Sequence, residues 1–260
     1  MISPWLYPLL FVTAFVAGFV DSIAGGGGLI TIPVLLSLGL APEDALGTNK
    51  LQSTFGSGSA TWHYGRAGLI DFKGCFAGIG FTTVGAGFGT WVVVEMGRNE
   101  TGKDVLRQII PWLIIAIAVY MLLQPKVGET DLRPRMNSGL FHFVFGLGLG
   151  FYDGFFGPGT GTFWALAYMA LLGFNMTRAT AHTKVMNFTS NVASLGVFLP
   201  TGHAYWGAGL CMGAGAWLGA RLGSRVVIRK GVKFIRPIFI TVALVITVQL
   251  LLKNFSKPAP

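Results

Sequence analysis

Gly18-Phe19-Val20-Asp21-Ser22-Ile23-Ala24-Gly25-Gly26-Gly27-Gly28 returns in altered form as Gly150-Phe151-Tyr152-Asp153-Gly154-Phe155-Phe156-Gly157-Pro158-Gly159. At an offset of 132, Gly18, Phe19, Asp21, Gly25 and Gly27 coincide with Gly150, Phe151, Asp153, Gly157 and Gly159. Each copy interrupts an apolar tract, 5–38 or 139–173, which as one helix would be about 50 Å long against a hydrocarbon core of about 30 Å. Glycine and proline break helices, so each tract is expected to be two shorter helices joined at the break. At an offset of 134 the match continues, with Gly39 on Gly173, Ala45 on Ala179, Lys50 on Lys184, Gly85 on Gly219, Ala86 on Ala220 and Gly89 on Gly223. Glycine matches carry little weight among 38 glycines, but an Asp pair and a Lys pair in apolar surroundings do. The chain therefore reads as two repeats, 1–125 and 137–260, joined by a polar connection at 126–136.

The rest of the sequence fits a chain built for lipid. Only 19 basic and 10 acidic residues occur in 260, and 52% are hydrophobic, where ordinary soluble chains are about a quarter charged. Residues 1–42 hold one charge (Asp21), 136–177 one (Asp153), and 74–94, 108–125 and 185–220 none. Tracts of this length suit transmembrane helices. Eight hydrophobic segments result: 5–38, 46–62, 72–94, 107–124, 139–173, 181–199, 205–227 and 235–252, four per repeat. The expected fold class is an all-α polytopic membrane protein, with the first and fifth segments broken at their Gly-rich motifs. The net charge of +9 lies mostly in short breaks between segments, where the positive-inside bias puts it, and so points away from nucleic acid. Cys75 and Cys211 lack neighbours at metal-ligand spacing, and no metal or cofactor is expected.

Repeat orientation depends on whether the broken segments cross. If they do, each half has four crossings and the repeats are parallel; if each is a re-entrant hairpin, a half has three and they are inverted. Setting aside Lys50, Lys184 and Arg221 within segments, the inverted arrangement places eleven Lys and Arg on one side and five on the other; the parallel one gives nine and seven. The charge bias favours inverted repeats with both termini periplasmic.

Ionisable residues inside membrane segments are costly and mark functional sites. Asp21 and Asp153 precede the two breaks, and Lys50 and Lys184 lie in the polar strings Gly47-Thr48-Asn49-Lys50-Leu51-Gln52-Ser53 and Ala181-His182-Thr183-Lys184-Val185-Met186-Asn187. Asn49 and Ser53, and Thr183 and Asn187, stand four apart on one helix face, with Ser57 and Asn191 a further turn on. Helices restarting after a break offer free N–H groups and a positive dipole end, near Thr31, Thr160 and Thr162. The expected substrate-binding residues are Gly26, Gly27, Gly28, Asn49, Lys50, Gln52, Ser53, Thr160, His182, Thr183, Lys184, Asn187 and Asn191, around an anion rich in acceptor oxygens. Asp21 and Asp153 either couple an ion, a proton being one option, or pair with the lysines and hold each half together. Gly85-Ala86-Gly87-Phe88-Gly89 and Gly219-Ala220-Arg221-Leu222-Gly223 read as close helix-packing surfaces.

These motifs, with Ala45-Leu46-Gly47-Thr48-Asn49-Lys50-Leu51-Gln52 and Ala181-His182-Thr183-Lys184, resemble those of the TauE/SafE sulfite exporter family, also called the toluene-sulfonate uptake permease group, and its YfcA-like branch in particular. The resemblance covers nearly the whole chain. It implies a bacterial inner-membrane carrier of sulfite, sulfoacetate or other organosulfonates, not an enzyme. Pro158 and Thr160 stand where Gly26 and Gly28 do, so the two breaks need not contribute equally. Alternating access between two repeats is the leading mechanism, driven by a proton, a cation or the substrate's own gradient. An anion channel using the same half-helix ends is the alternative. The expected partners are the anion, the bilayer and, as one assembly, a second copy in a homodimer.

Overall fold

The computed structural model describes residues 3–106, 108–109, 112 and 130–230. The eighth expected segment, nearly all of the fourth, and part of the 126–136 connection lie outside them. Within the described residues the chain is helical and has no strand. A short turn at Pro4–Leu6 leads into α1 (Tyr7–Ala24), α2 (Gly28–Ser37), α3 (Pro42–Arg66) and α4 (Phe72–Gly97), and residues 100–106 are helical again. Beyond the connection follow α5 (Ser138–Phe155), α6 (Thr160–Leu172), α7 (Met176–Phe198) and α8 (Trp206–Lys230).

Both broken segments divide where glycine permits. Gly25 ends α1 with φ +84° and ψ 176°, and Gly26 follows at φ +89°, conformations that L side chains rarely adopt. Gly157 and Gly159 take the same role after α5, around Pro158, which has no N–H to continue a helix. The restarts are short: α2 has 10 residues and α6 has 13, about 15 and 20 Å, less than a bilayer core. By contrast α3 and α4, with 25 and 26 residues, are long enough to cross. Their starts are set by local chemistry. Pro42 opens α3, while Asp71, Asn137 and Asn175 cap α4, α5 and α7 by accepting from the backbone N–H of Gly74, Gly139 and Arg178.

Small residues decide how the helices meet. On α8, a Cβ added at Gly215, Gly219 or Gly223 would run into the carbonyl oxygens of Phe11, Phe15 and Phe19 on α1. On α4, Gly85 and Gly89 lie in the same way on the carbonyls of Leu147 and Phe151 of α5. Residue numbers rise together in both contacts, so α1 runs parallel to α8, and α4 to α5. Helix α3 also runs with α8, through Gly56 on Ala216 and the Ser59 hydroxyl donating to the Trp217 carbonyl at 3.0 Å. In contrast α3 and α7 cross in opposite directions, with Gly47 on Phe198, Ser57 on Asn191 and Gly58 on Phe188. Without a hydrophobic drive between helices in lipid, such close backbone approach supplies the packing energy. Gly89→Ala should therefore lower stability by about 1–3 kcal/mol. Gly87→Ala, at a position with open space around it, should cost nothing; thermal unfolding of the purified protein compares the two.

Buried charged and amide groups lie among an apolar core, while many large apolar side chains face outward. Lys50 and Lys184 are among the largest fully buried side chains, whereas Trp62, Phe76, Val84, Phe88 and Trp91 are exposed. That arrangement suits a lipid surround. Beside α6 and α7, the described part of the connection is pinned by Leu132 N–H to the Gly173 carbonyl at 2.7 Å and Arg135 N–H to that of Leu171 at 2.8 Å. The Asn175 backbone N–H on Asp131, helped by Arg178, holds the Asp131 carboxyl below the usual carboxylate range.

Candidate functional site

The two helix breaks meet at the centre of the molecule. A Cβ on Gly25 would stand 2.9 Å from the Thr162 nitrogen, and one on Gly28 would stand 3.2 Å from Pro158 Cγ. The Thr162 hydroxyl donates to the Ala24 carbonyl at 3.1 Å, and that of Thr160 to Gly157 at 2.6 Å. Both breaks are thus tied to each other as well as within themselves, which leaves little slack in the backbone around them.

Buried charge surrounds this junction. Lys50 Nζ donates to Asp153 Oδ1 at 2.8 Å, with side-chain exposures of 2% and 6%. Lys184 Nζ donates to Asp21 Oδ2 at 3.0 Å and also to the Asp21 carbonyl oxygen. Each lysine therefore pairs with the aspartate of the opposite half, correcting the expectation that the pairs would hold each half together internally. The reason is that α3 and α7 lie against one another, each directing its lysine toward the other half's break. Asp21 Oδ1 also accepts from the Gly27 N–H at 3.2 Å, and Asp153 Oδ2 from the Ser190 hydroxyl. Such contacts offset part of the cost of burying the charges.

Amide and hydroxyl groups complete the polar wall. Asn49 Oδ1 accepts from the Thr31 hydroxyl at 2.6 Å and from Gln52 Nε2 at 2.9 Å; Gln52 also donates to Ser53 Oγ at 2.8 Å. Asn191 Nδ2 donates to Ser57 Oγ at 3.2 Å. Asn187 Oδ1 at the cavity and the hydroxyl of Thr183, which lies outside the cavity lining, are buried without a partner among the described residues, and unsatisfied groups of this kind call for an explanation.

Most of the expected residues converge on one cavity of about 30 Å³, lined by Asp21, Gly26, Gly28, Asn49, Lys50 and Ser53 from the first half. From the second half it takes Asp153, the glycines of the second break, Asn187 and Asn191. Gln52, Gly27, Thr160 and Lys184 sit one contact behind this lining. A volume of that size holds about two waters.

His182 does not join them. Its Nδ1 lies 2.9 Å from the Arg178 carbonyl, which can only accept, so Nδ1 carries the proton and Nε2 accepts the Asp71 N–H at 3.2 Å. The ring packs among Phe174 and Tyr168. Two residues along a helix is a turn of about 200°, which puts His182 on the side away from Lys184. Ser190 was missed by sequence reasoning because its counterpart at the 134 offset is Gly56, so the repeat gave no signal.

The model of the family described as sulfite exporter TauE/SafE matches residues 10–250. The "Probable membrane transporter protein YfcA" of Escherichia coli strain K12 is 47% identical over 257 residues, covering 99% of this chain and 94% of its own. "Probable membrane transporter protein ORF9" of a Sinorhizobium species is 46% identical, covering 95% and 92%. A "Probable membrane transporter protein" of Haemophilus influenzae is 43% identical, covering 94% of each. No solved structure matches.

Proposed function

Because the chain belongs to the sulfite exporter TauE/SafE family of membrane transporters, we propose that it is a secondary carrier of small oxygen-rich anions such as sulfite, sulfoacetate and other organosulfonates. The observation that carries this reading is the pair of crossed Lys–Asp contacts around one polar cavity between two helix breaks, with Asp21, Lys50 and Asp153 in its lining and Lys184 directly behind. An entering anion takes the place of a carboxylate on Lys50 or Lys184, with the unpartnered Asn187 Oδ1 of the cavity lining as acceptor for a proton of a bound water or acid group.

Charge balance supplies a coupling step. Two lysines and two aspartates sum to zero, so a bound monoanion leaves one uncompensated negative charge in a low-dielectric interior. A proton taken up by Asp21 or Asp153 removes it. The aspartate freed from its lysine is the group that gains the proton, which links anion binding to proton uptake.

The same reading takes the two halves as inverted repeats in the inner membrane, with both termini periplasmic. Supporting it, α3 and α7 cross in opposite directions, and Ser57 bonds Asn191, its own counterpart at the 134 offset. Likewise Gly219 and Gly223 meet Phe19 as Gly85 and Gly89 meet Phe151. Rocking of the two halves against one another would open the cavity to each side in turn. So small a cavity among the described residues supports a carrier over a channel, which needs a continuous pore. In proteoliposomes, sulfite or sulfoacetate uptake is expected to saturate and to accelerate when the same anion is loaded inside. Flux that rises linearly with concentration and ignores the internal anion overturns the carrier reading.

A further inference from the structure

A second pocket of about 620 Å³ opens beside α3 and α8, toward the end of each helix. Its lining includes Arg66, Arg221 and Arg225 and, among the described residues, no carboxylate. Among those residues none of the three guanidinium groups has an acidic partner, and the buried Arg221 Nε has no hydrogen-bond partner. Arg221 and Arg225 stand one helical turn apart, so their charges repel. A cluster of unneutralised cations with a buried unsatisfied donor is in want of an anion.

The other walls are aromatic. The Arg66 guanidinium lies 5.9 Å from the Trp62 ring centre and that of Arg221 lies 5.6 Å from Trp217, while Phe55 and Phe188 add two further rings to the lining. Guanidinium forks suit an oxyanion head, and flat rings suit an apolar body. The size lies within the 300–1,000 Å³ usual for small-molecule sites.

The pocket and the buried cavity draw on the same two helices, α3 and α7. Thr54 and Phe188 of the pocket follow Ser53 and Asn187 of the cavity lining in sequence. The Ser57–Asn191 hydrogen bond ties α3 to α7 there, and Phe188 packs on Gly58. We propose that this arginine-aromatic pocket is a docking vestibule that takes the oxyanion head and apolar body of a soluble organic anion before it reaches the buried lysines. The vestibule's purpose rests on the carrier reading, but its binding is measured separately.

The test uses the full chain in phosphatidylcholine nanodiscs, with benzenesulfonate titrated against tryptophan fluorescence, since Trp62 and Trp217 line the pocket. Saturable quenching is expected, absent with benzyl alcohol. Arg221→Gln should weaken it about tenfold, the size of one lost charge-assisted contact. The double variant Arg66→Gln with Arg225→Gln, at two exposed positions, should weaken it at least as much without burdening the fold. Unchanged affinity in the folded double variant overturns the proposal. So does binding that vanishes in discs containing phosphatidylglycerol, which would assign the pocket to lipid headgroups. Binding retained without counterflow in proteoliposomes would refute the carrier reading and leave the pocket standing; counterflow retained without binding would do the reverse.

Discussion

Lys50→Ala is expected to abolish anion transport and to destabilise the protein by about 3–5 kcal/mol, the cost of leaving a buried charge without its partner. Asp153 is then held only by Ser190, in a site where its side chain is 6% exposed. Transport falls for a different reason. The ammonium offers an entering oxyanion up to two charge-assisted hydrogen bonds of about 1.5–3 kcal/mol each. Their loss weakens binding roughly 100-fold or more at about 1.4 kcal/mol per tenfold. The two effects separate in the double variant Lys50→Met with Asp153→Asn, which removes both charges. Its unfolding midpoint should return most of the way to that of the unaltered protein, while uptake in proteoliposomes stays absent. If the double variant transports normally, the pair is structural and the anion site is elsewhere. Lys184→Ala should lose transport equally but less stability, because Asp21 is 27% exposed and can recover water.

Gly25→Ala should produce the second large effect. Alanine there meets two costs at once. The backbone sits at φ +84° and ψ 176°, a region almost confined to glycine, at about 1–3 kcal/mol. The new methyl also comes within 2.9 Å of the Thr162 nitrogen and 3.0 Å of the Gly161 carbonyl carbon, and overpacking of this kind costs about 1–3 kcal/mol more. Relief requires the two breaks to part, which moves Asp21 off Lys184 and opens the cavity. A loss of about 2–6 kcal/mol, with transport gone, is the expected outcome. Gly39→Ala is the control, since Gly39 also has φ +84° but nothing within 4 Å of an added Cβ. Thermal unfolding of both variants decides the matter: equal losses would show that backbone strain alone matters and that close contact between the breaks contributes nothing.

Much of the architecture was legible because apolar surroundings make every exception costly. In tracts with no other charge, Asp21, Lys50, Asp153 and Lys184 could persist only in return for a partner or a role. The glycine breaks were legible because a 34-residue helix does not fit a bilayer core and four successive glycines do not propagate one. Spacing likewise identified Asn49, Ser53, Asn187 and Asn191 as cavity residues, and the packing role of Gly85, Gly89, Gly219 and Gly223. Helical geometry should have removed His182, two positions and some 200° from Lys184.

Pairing lies beyond what a one-dimensional pattern contains. Either aspartate could have served either lysine; the choice follows from α3 and α7 running against each other, so that each lysine meets the far break. Ser190 on Asp153 and the gathering of Arg66, Arg221 and Arg225 in one pocket have the same origin. Sequence alone determined which residues had to be inside and where helices had to stop, because burial energy and backbone sterics act locally. Tertiary structure decided which of them touch, because contacts over separations of 103 and 163 residues depend on how whole helices cross.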